Sequence, residues 1–545
     1  MRLYSWFDLG REAIVRGRCA WVANLSGFAG DRRGVTSIFF GLMIIAILFV
    51  VAVAIDYSRL VTERARDQRA LDAAVLAASK QLGLDDAEVT GEVMAKAYYA
   101  ANRTQNPDSQ LLDVSLDSSL GQISARTSTD WHASLLKAIE AYFPGVGQDR
   151  NVSVSAKVNR GNGTTEIALV LDNSGSMGGT YIADLKTAAK DLIQPVLAGV
   201  EGTDRVMVGV VPFAASVNVG SLYSGADWID GSGASSIHYE NFSESRTRFQ
   251  LFSDLGQSWA GCVEARPNSL DVTDDPASGG DYLFVPMFAP DEPGDAGSSQ
   301  LGYSNSYIND DGGTCTPYEQ VCTRYSRRGN CQNWETIRIP DDEAQARTCK
   351  YANQPLMNGS GPNSGCTTQP LLPLNSTKSS IETAIDAMQA SGYTNIKEGI
   401  AWGWRVLSPS LPFGEGRAYG TDANSKILIL MTDGENRYQA TNNHNLSVYA
   451  SQGYASKGRL GTTYTDSGYT QDLSEKTRQV CANAKAAGIK IYTVAFRLES
   501  DPTTQALLRE CASSDDEAFA ASDGGMLIQA FRNIGRSITQ IRISE

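Results

Sequence analysis

Histidine is nearly missing from this chain. Three occur in 545 residues, His132, His238 and His444. They lie far apart, and none has the i, i+4 or Cys-x-x-Cys company of a zinc site. Basic charge is also in deficit: 47 Lys and Arg stand against 61 Asp and Glu, for a formal net charge of −14. That balance excludes nucleic acid as a partner, because phosphate recognition needs clustered cations. Three catalytic signatures are absent: the nucleotide-binding GxxxxGK followed by Ser or Thr, the metalloprotease HExxH and the lipase-like GxSxG. Ser134-x-x-Lys137 has SxxK spacing but no KTG partner, and it reads as helix surface.

Long apolar runs are scarce too, for there is one. Val35 to Ile55 carries no charge, giving 55 − 35 + 1 = 21 mostly apolar residues. At about 1.5 Å rise per residue this spans a hydrocarbon core of roughly 30 Å. Ala52-Val53-Ala54 has the small-x-small form of a cleavage site. A signal h-region is shorter, however, at about 7–15 residues, so the run reads as an anchor. Arg2, Arg11, Arg16, Arg18, Arg32 and Arg33 precede it, whereas mixed charges follow. The basic excess predicts a single pass through a bacterial inner (cytoplasmic) membrane, N-terminus inside, with the bulk periplasmic or extracellular. Cysteine agrees: Cys19 precedes the run and the other eight follow it, an even set on the oxidising side.

Helix formers continue from Tyr57 to Leu82, with Leu60, Val61, Leu71, Ala74, Val75 and Ala78 at helical spacing. Arg32-Arg33-Gly34, the apolar run, Asp56-Tyr57-Ser58-Arg59 and Ala70-Leu71-Asp72-Ala73-Ala74 together resemble the N-terminal region of tight-adherence (Tad) pilus-assembly proteins of the TadE/TadG type. Prepilins of related systems carry a Glu just inside their apolar segment. None stands here, so pilin-like processing is not expected. From Gly83 to Arg160 short alternating runs predict antiparallel strands at Leu112–Leu116, Gln122–Arg126 and Val152–Ala156, with a short helix at Ser134–Ile139. This makes a small α+β stalk.

After Thr165 the apolar runs become continuous: Ile167–Leu171, Val206–Val211, Ile427–Met431 and Ile489–Phe496. Unbroken apolar strands are buried on both faces, so they predict a parallel sheet covered by helices. Helical stripes occur at Ile182–Val196, Ile381–Met388, Glu398–Leu407 and Leu527–Ile541, the second after a Ser379-x-x-Glu382 capping box. The fold class is therefore α/β, with a doubly wound, mostly parallel, Rossmann-like sheet. In such sheets ligands bind at the C-terminal strand ends. There stand Asp172-Asn173-Ser174-Gly175-Ser176 and Thr432-Asp433-Gly434, with Gly392-Tyr393-Thr394-Asn395 between them in sequence. Carboxylates and hydroxyls on three loops suit a hard cation such as Mg²⁺.

These residues resemble the metal-ion-dependent adhesion site of the von Willebrand factor A family. The resemblance implies that Asp172, Ser174, Ser176, Thr394 and Asp433 hold Mg²⁺ (or Mn²⁺), leaving a position for a partner's carboxylate. It also implies a von Willebrand A-like domain over 161–545, with insertions at 221–375 and 437–471. Residues 1–33 are then the cytoplasmic segment, 34–56 the transmembrane helix, and 57–160 the TadE/TadG-like helix and stalk.

The first insertion holds six cysteines, many small polar residues and aromatics such as Trp228, Trp259 and Trp334. A long segment of this kind is stapled by disulfides, in one of 15 pairings. Cys481 and Cys511 flank the last strand and are expected to pair with each other. Asp291-Glu292 and Asp310-Asp311 read as solvated acidic turns, with calcium binding as the alternative. Two segments, Cys262–Pro267 and Phe284–Pro293, look like insertions of some TadG-type proteins. The function implied is a membrane-anchored, metal-dependent binding or adhesion protein of Flp/Tad pilus assembly or surface adhesion. Its expected partner offers a carboxylate and belongs to the pilus or envelope. No histidine neighbours the three loops, so no general base is evident and a non-enzyme is expected, an extracytoplasmic metal-dependent hydrolase being the alternative.

Overall fold

The computed structural model describes residues 35–79, 87–103, 109–117, 122–140, 149–159, 163–294, 302–310, 312–315, 318–357 and 361–544. Cys19, Asp311 and the basic N-terminal segment lie outside them. The chain divides into two compact units, Met1–Asn159 and Arg160–Glu545.

In the first unit a single helix, α1 (Val35–Ser79), has two different surroundings along its length. It is long and apolar enough to cross a membrane. Its first part leaves Phe39, Phe40, Leu42 and Met43 exposed, while Leu71, Ala74, Val75 and Ala78 are buried. These small side chains let α1 lie close on a sheet with α2 (Ala87–Asn102), sharing a core with Ala95, Tyr99, Ile123 and Val154. The sheet is an antiparallel meander of β1 (Ser109–Asp117), β2 (Gln122–Trp131) and β3 (Arg150–Asn159), with the short α3 (Leu135–Ile139) after β2. The strands cover the three alternating runs. α2 is a correction: its stripe is built on Ala and Gly as much as on large apolar residues, which weakens a hydrophobic period.

Two buried acids fix this unit. Asp56 Oδ2 accepts from the backbone N–H groups of Leu135 (2.9 Å) and Leu136 (2.7 Å), satisfying donors at the start of α3. Asp67 accepts from Thr129 Oγ1 at 2.6 Å and pairs with Arg103 Nε at 2.8 Å.

In the second unit six strands form a mixed sheet. Along the chain come β4 (Thr164–Asp172), α4 (Thr180–Leu197), β5 (Val206–Phe213), α5 (Arg248–Asp254), the hairpin β6 (Tyr318–Tyr325) and β7 (Cys331–Arg338), and α6 (Asp341–Ala346). Then follow β8 (Leu372–Asn375), α7 (Lys378–Ala387), α8 (Ile396–Leu407), β9 (Asn424–Thr432) and α9 (Asp466–Ala486). The chain closes with β10 (Lys490–Phe496), α10 (Pro502–Cys511), β11 (Ala518–Ala521) and α11 (Gly524–Ser544). The sheet order is β11-β10-β9-β4-β5-β8, parallel throughout except for β8 at the edge. β4 lies in the middle, and its eight residues from Thr165 on are all buried. One face packs Ile167, Leu169 and Leu171 against α4, α7 and α11. The other packs Ala168 and Val170 against α8, α9 and α10. Two glycines let α8 approach: a Cβ on Gly403 would come within 2.4 Å of Val170, and one on Gly399 within 2.7 Å of Phe213.

The long insertion joins this second core. Trp228, Phe252, Phe284, Phe288, Tyr307 and Tyr351 are buried in one cluster with Trp402 of α8. Disulfides Cys262–Cys366, Cys315–Cys349 and Cys322–Cys331 staple it, and Cys481–Cys511 ties α9 to α10. The eight described cysteines therefore pair as expected, Cys481 with Cys511 and the six of the insertion among themselves.

Two local readings are corrected. Ser379 does not cap α7; the cap position is Thr377, and Ser379 lies within the helix, where its carbonyl accepts from Thr383 Oγ1. Asp291 and Glu292 are not solvated turns but buried side chains, and Asp291 pairs with Lys350 at 2.8 Å.

Candidate cation-binding site

β4 ends at Asp172 and β9 at Thr432. These neighbouring parallel strands point their C-terminal ends the same way, so Asp172 and Asp433 come together although 433 − 172 = 261 positions separate them. The backbone holds the loops tightly. Asn173 N–H donates to Phe213 O (2.7 Å), Ser391 N–H to Asn173 O (2.7 Å), and Gly175 N–H to Gly392 O (2.9 Å). Gly392 has φ +88°, and a Cβ there would meet Thr367 Oγ1 at 2.6 Å, so only glycine lets this loop reach Gly175.

The five expected residues converge. Asp172 is fully buried; Oδ1 accepts from Ser174 N–H (2.7 Å) and Oδ2 from Thr432 Oγ1 (2.5 Å). Ser176 Oγ lies 2.9 Å from Ser174 Oγ and donates to Asp433 Oδ1 at 2.7 Å. Thr394 joins them through Gly434: a Cβ on Gly434 would sit 3.5 Å from Thr394 Oγ1 and 4.0 Å from Ser176 Oγ. Gly434 thus leaves open the space that these hydroxyls border.

Burial, and after it the charge of Asp433, pushes the Asp172 carboxyl up to about 7. Asp433 is raised as well, again mainly by burial. Neither has a basic side chain within salt-bridge distance among the described residues. Arg497, at the end of β10, is the cation whose charge acts on Asp433, opposing that rise. Its guanidinium stacks 4.4 Å over the Tyr181 ring.

Among the described residues no group of three or more His, Cys, Asp or Glu side chains is placed to hold a metal ion. The site differs in kind from such groups: it has two carboxylates and three hydroxyls, all oxygen, with two acids that repel each other. This donor set fits a hard divalent cation.

Several positioning roles carried no signal in the sequence, although Thr432 and Asn395 stand inside the motif loops. Thr432 holds Asp172 Oδ2. Asn395 caps α8 by accepting from Glu398 N–H (3.1 Å), and Asn436 Oδ1 accepts from Ile396 N–H (2.8 Å), tying the β9 loop to the same helix start. Short polar side chains in loops look alike until their partners are placed. Arg497 is likewise visible only once β10 lies beside β9.

Residues 34–84 match the family described as "Putative Flp pilus-assembly TadE/G-like". The TadE/TadG likeness of the N-terminal helix stands on that match. No curated protein matches the chain. Among solved structures it is similar to the pilus adhesin SpaC from Lactobacillus rhamnosus GG, at 12% identity and TM-score 0.30, covering 80% of this chain and 34% of that one. It is similar also to the vWF domain of the type V pili tip protein Mfa5 from Porphyromonas gingivalis (10% identity, TM-score 0.32, 69% and 95% covered). A third is the PilB minor pilin from Streptococcus sanguinis (11% identity, TM-score 0.31, 79% and 78% covered). The chain spans about a third of the SpaC chain's length.

Proposed function

We propose that this protein is a membrane-anchored, extracytoplasmic, non-enzymatic binding protein of Flp/Tad pilus assembly or surface adhesion, whose second unit is a doubly wound, von Willebrand A-like domain. Its site is Asp172, Ser174, Ser176, Thr394 and Asp433, and its cofactor is Mg²⁺ or Mn²⁺. The observation that carries the reading is the convergence of two carboxylates without a salt-bridge partner among the described residues and three hydroxyls, from two strand-end loops and the loop before α8. The family match over 34–84 supports the anchor and the pilus context. The basic residues before α1 support an inner-membrane orientation with the N-terminus inside.

A bound divalent cation would be under-neutralised by two carboxylates and three neutral hydroxyls, and would therefore accept an acidic group from a partner. Asp172 is held for that task by Ser174 N–H and Thr432 Oγ1, which fix both its oxygens and stabilise its charged form. Ser176 Oγ already spans Ser174 and Asp433, so the donors are gathered without rearrangement of the strands. Calorimetric titration of the full chain in detergent micelles with Mg²⁺ and Mn²⁺ tests this. Binding should be lost in Asp172→Ala, with the far-UV spectrum unchanged. Equal binding by the wild type and the variant would remove the reading.

A further inference from the structure

Eight carboxylates are fully buried among the described residues of the second unit: Glu166, Asp172, Asp230, Glu264, Asp271, Asp291, Glu292 and Glu398. Six have a partner of opposite character. Glu166 pairs with Lys426, Asp230 with His238, Glu264 with Arg248, Asp271 with Lys476, Asp291 with Lys350 and Glu398 with Lys397. Burying a carboxylate without such a partner is costly. The two exceptions are Asp172, at the candidate cation site, and Glu292.

Glu292 is held by neutral donors only. Oε2 accepts from the N–H groups of Ser304 (2.7 Å) and Asn305 (2.6 Å). Oε1 has two longer bonds, from Asn445 Nδ2 (3.3 Å) and Tyr454 OH (3.2 Å). The Asn445 amide also makes a shorter bond to Gln345 Oε1, at 2.9 Å. Burial raises the Glu292 pKa despite these donors. His444 Nδ1 meets Tyr303 OH at 2.7 Å, and burial lowers the His444 pKa.

Glu292 lines a cavity of about 390 Å³ whose wall also includes Thr367, Gly392, Tyr393, Gln439 and Thr441. Among the described residues no basic side chain lines it, and Glu292 is the one charged group in its wall. Gly392 is the residue whose carbonyl receives Gly175 N–H, and Tyr393 precedes Thr394, so the cavity borders the cation site directly. Its other walls include Gly302, Ser304 and Asn305 from one long segment that interrupts the sheet and Val448 and Tyr449 from the other.

We propose that this cavity is a second subsite that receives a lysine or arginine side chain of the protein partner whose acidic residue occupies the cation site. This rests on the cation reading and adds the partner's chemistry: an acidic residue with a basic one close in sequence. The ligand's cation supplies the opposite charge that Glu292 lacks, in a walled site where such a pair is stronger than in water.

The test uses the full chain in detergent micelles with Mg²⁺ and fluorescein-labelled peptides in which Asp and Lys are separated by none, one, two or three glycines. A matched set carries norleucine for Lys, keeping the stem and removing the charge. Fluorescence anisotropy should show at least one lysine peptide binding about tenfold more tightly than its norleucine twin. That preference should vanish in Glu292→Gln, and also in Thr441→Lys, which puts an internal ammonium at the cavity wall. In both variants Mg²⁺ affinity and norleucine-peptide binding should remain. Equal, Mg²⁺-dependent binding of both peptide sets overturns the subsite while leaving the cation reading in place. A lysine preference that survives both variants overturns it too, by placing the ammonium elsewhere. Peptide binding indifferent to EDTA overturns the cation reading and the subsite with it.

Discussion

Replacing Asp172 by Asn separates the site's cost from its use. The amide keeps the shape: its oxygen still receives Ser174 N–H, and its NH₂ faces Thr432 Oγ1, whose proton has an alternative acceptor in Gly434 O at 3.1 Å. Only the charge is lost. Asp172 titrates near 7 in the folded chain against an ordinary 3.8, because it is buried and faces Asp433. A rise from 3.8 to about 7, at about 1.36 kcal/mol for each tenfold change in proton affinity, amounts to up to about 4 kcal/mol. The direction follows from proton counting. Between about pH 4 and 7 the folded state keeps a proton that the unfolded state has released, so metal-free stability falls as pH rises through that window and is flat above it. Asp172→Asn should lack this slope, and in EDTA at pH 8 it should exceed the wild type by up to about 4 kcal/mol. Mg²⁺ should narrow that gap: at 100 times its dissociation constant it stabilises the wild type by about 2.7 kcal/mol, and the variant by nothing. Urea unfolding at pH 5, 6, 7 and 8, with EDTA and with Mg²⁺, measures both effects. A variant less stable than the wild type in EDTA at pH 8, or one with the same pH slope, would refute the argument.

Thr432→Val removes the hydroxyl that donates to Asp172 Oδ2 and keeps the side-chain shape, so Mg²⁺ affinity at pH 7 should fall about tenfold by calorimetry, with little change in melting temperature. A reporter enzyme active only outside the cytoplasm, fused after Glu545, should be active; activity of a cytoplasm-only reporter there would reverse the orientation. Cys481→Ala with Cys511→Ala should cost about 2–4 kcal/mol by urea unfolding, and non-reducing peptide maps of the wild type should return the four bridges described above. Asp56→Ala leaves the Leu135 and Leu136 N–H groups without their acceptor and should weaken the first unit by about 1–3 kcal/mol, read as faster amide exchange at the start of α3.

Much of this protein is written locally. A central strand buried on both faces must be apolar at every position, so β4, β5, β9 and β10 are visible as unbroken runs, and an uncharged run of membrane length makes α1 visible in the same way. Two of the three polar loops stand out because small oxygen-bearing residues follow those runs at strand ends; the third, Gly392–Asn395, lies between α7 and α8. β8 and β11, four residues each at the sheet edges, have no such signature, since a short edge strand needs little of its own sequence to pair. α2 escaped because only Tyr99 among its described buried residues is large, the others being Gly91 and Ala95.

What the tertiary structure alone decided is partnership. The sequence supplies six cysteines to the insertion, and only folding selects Cys262 with Cys366 over 104 positions. It supplies acids in similar numbers throughout. Nothing local distinguishes Asp291, matched to Lys350, from Glu292 beside it, which has four neutral donors and no base. A strand or a membrane helix is dictated by the medium around it, which a short stretch of sequence encodes. An ion pair, a bridge or an unmatched charge depends on which distant residue the fold brings within about 4 Å, and that is set by the packing of the whole unit.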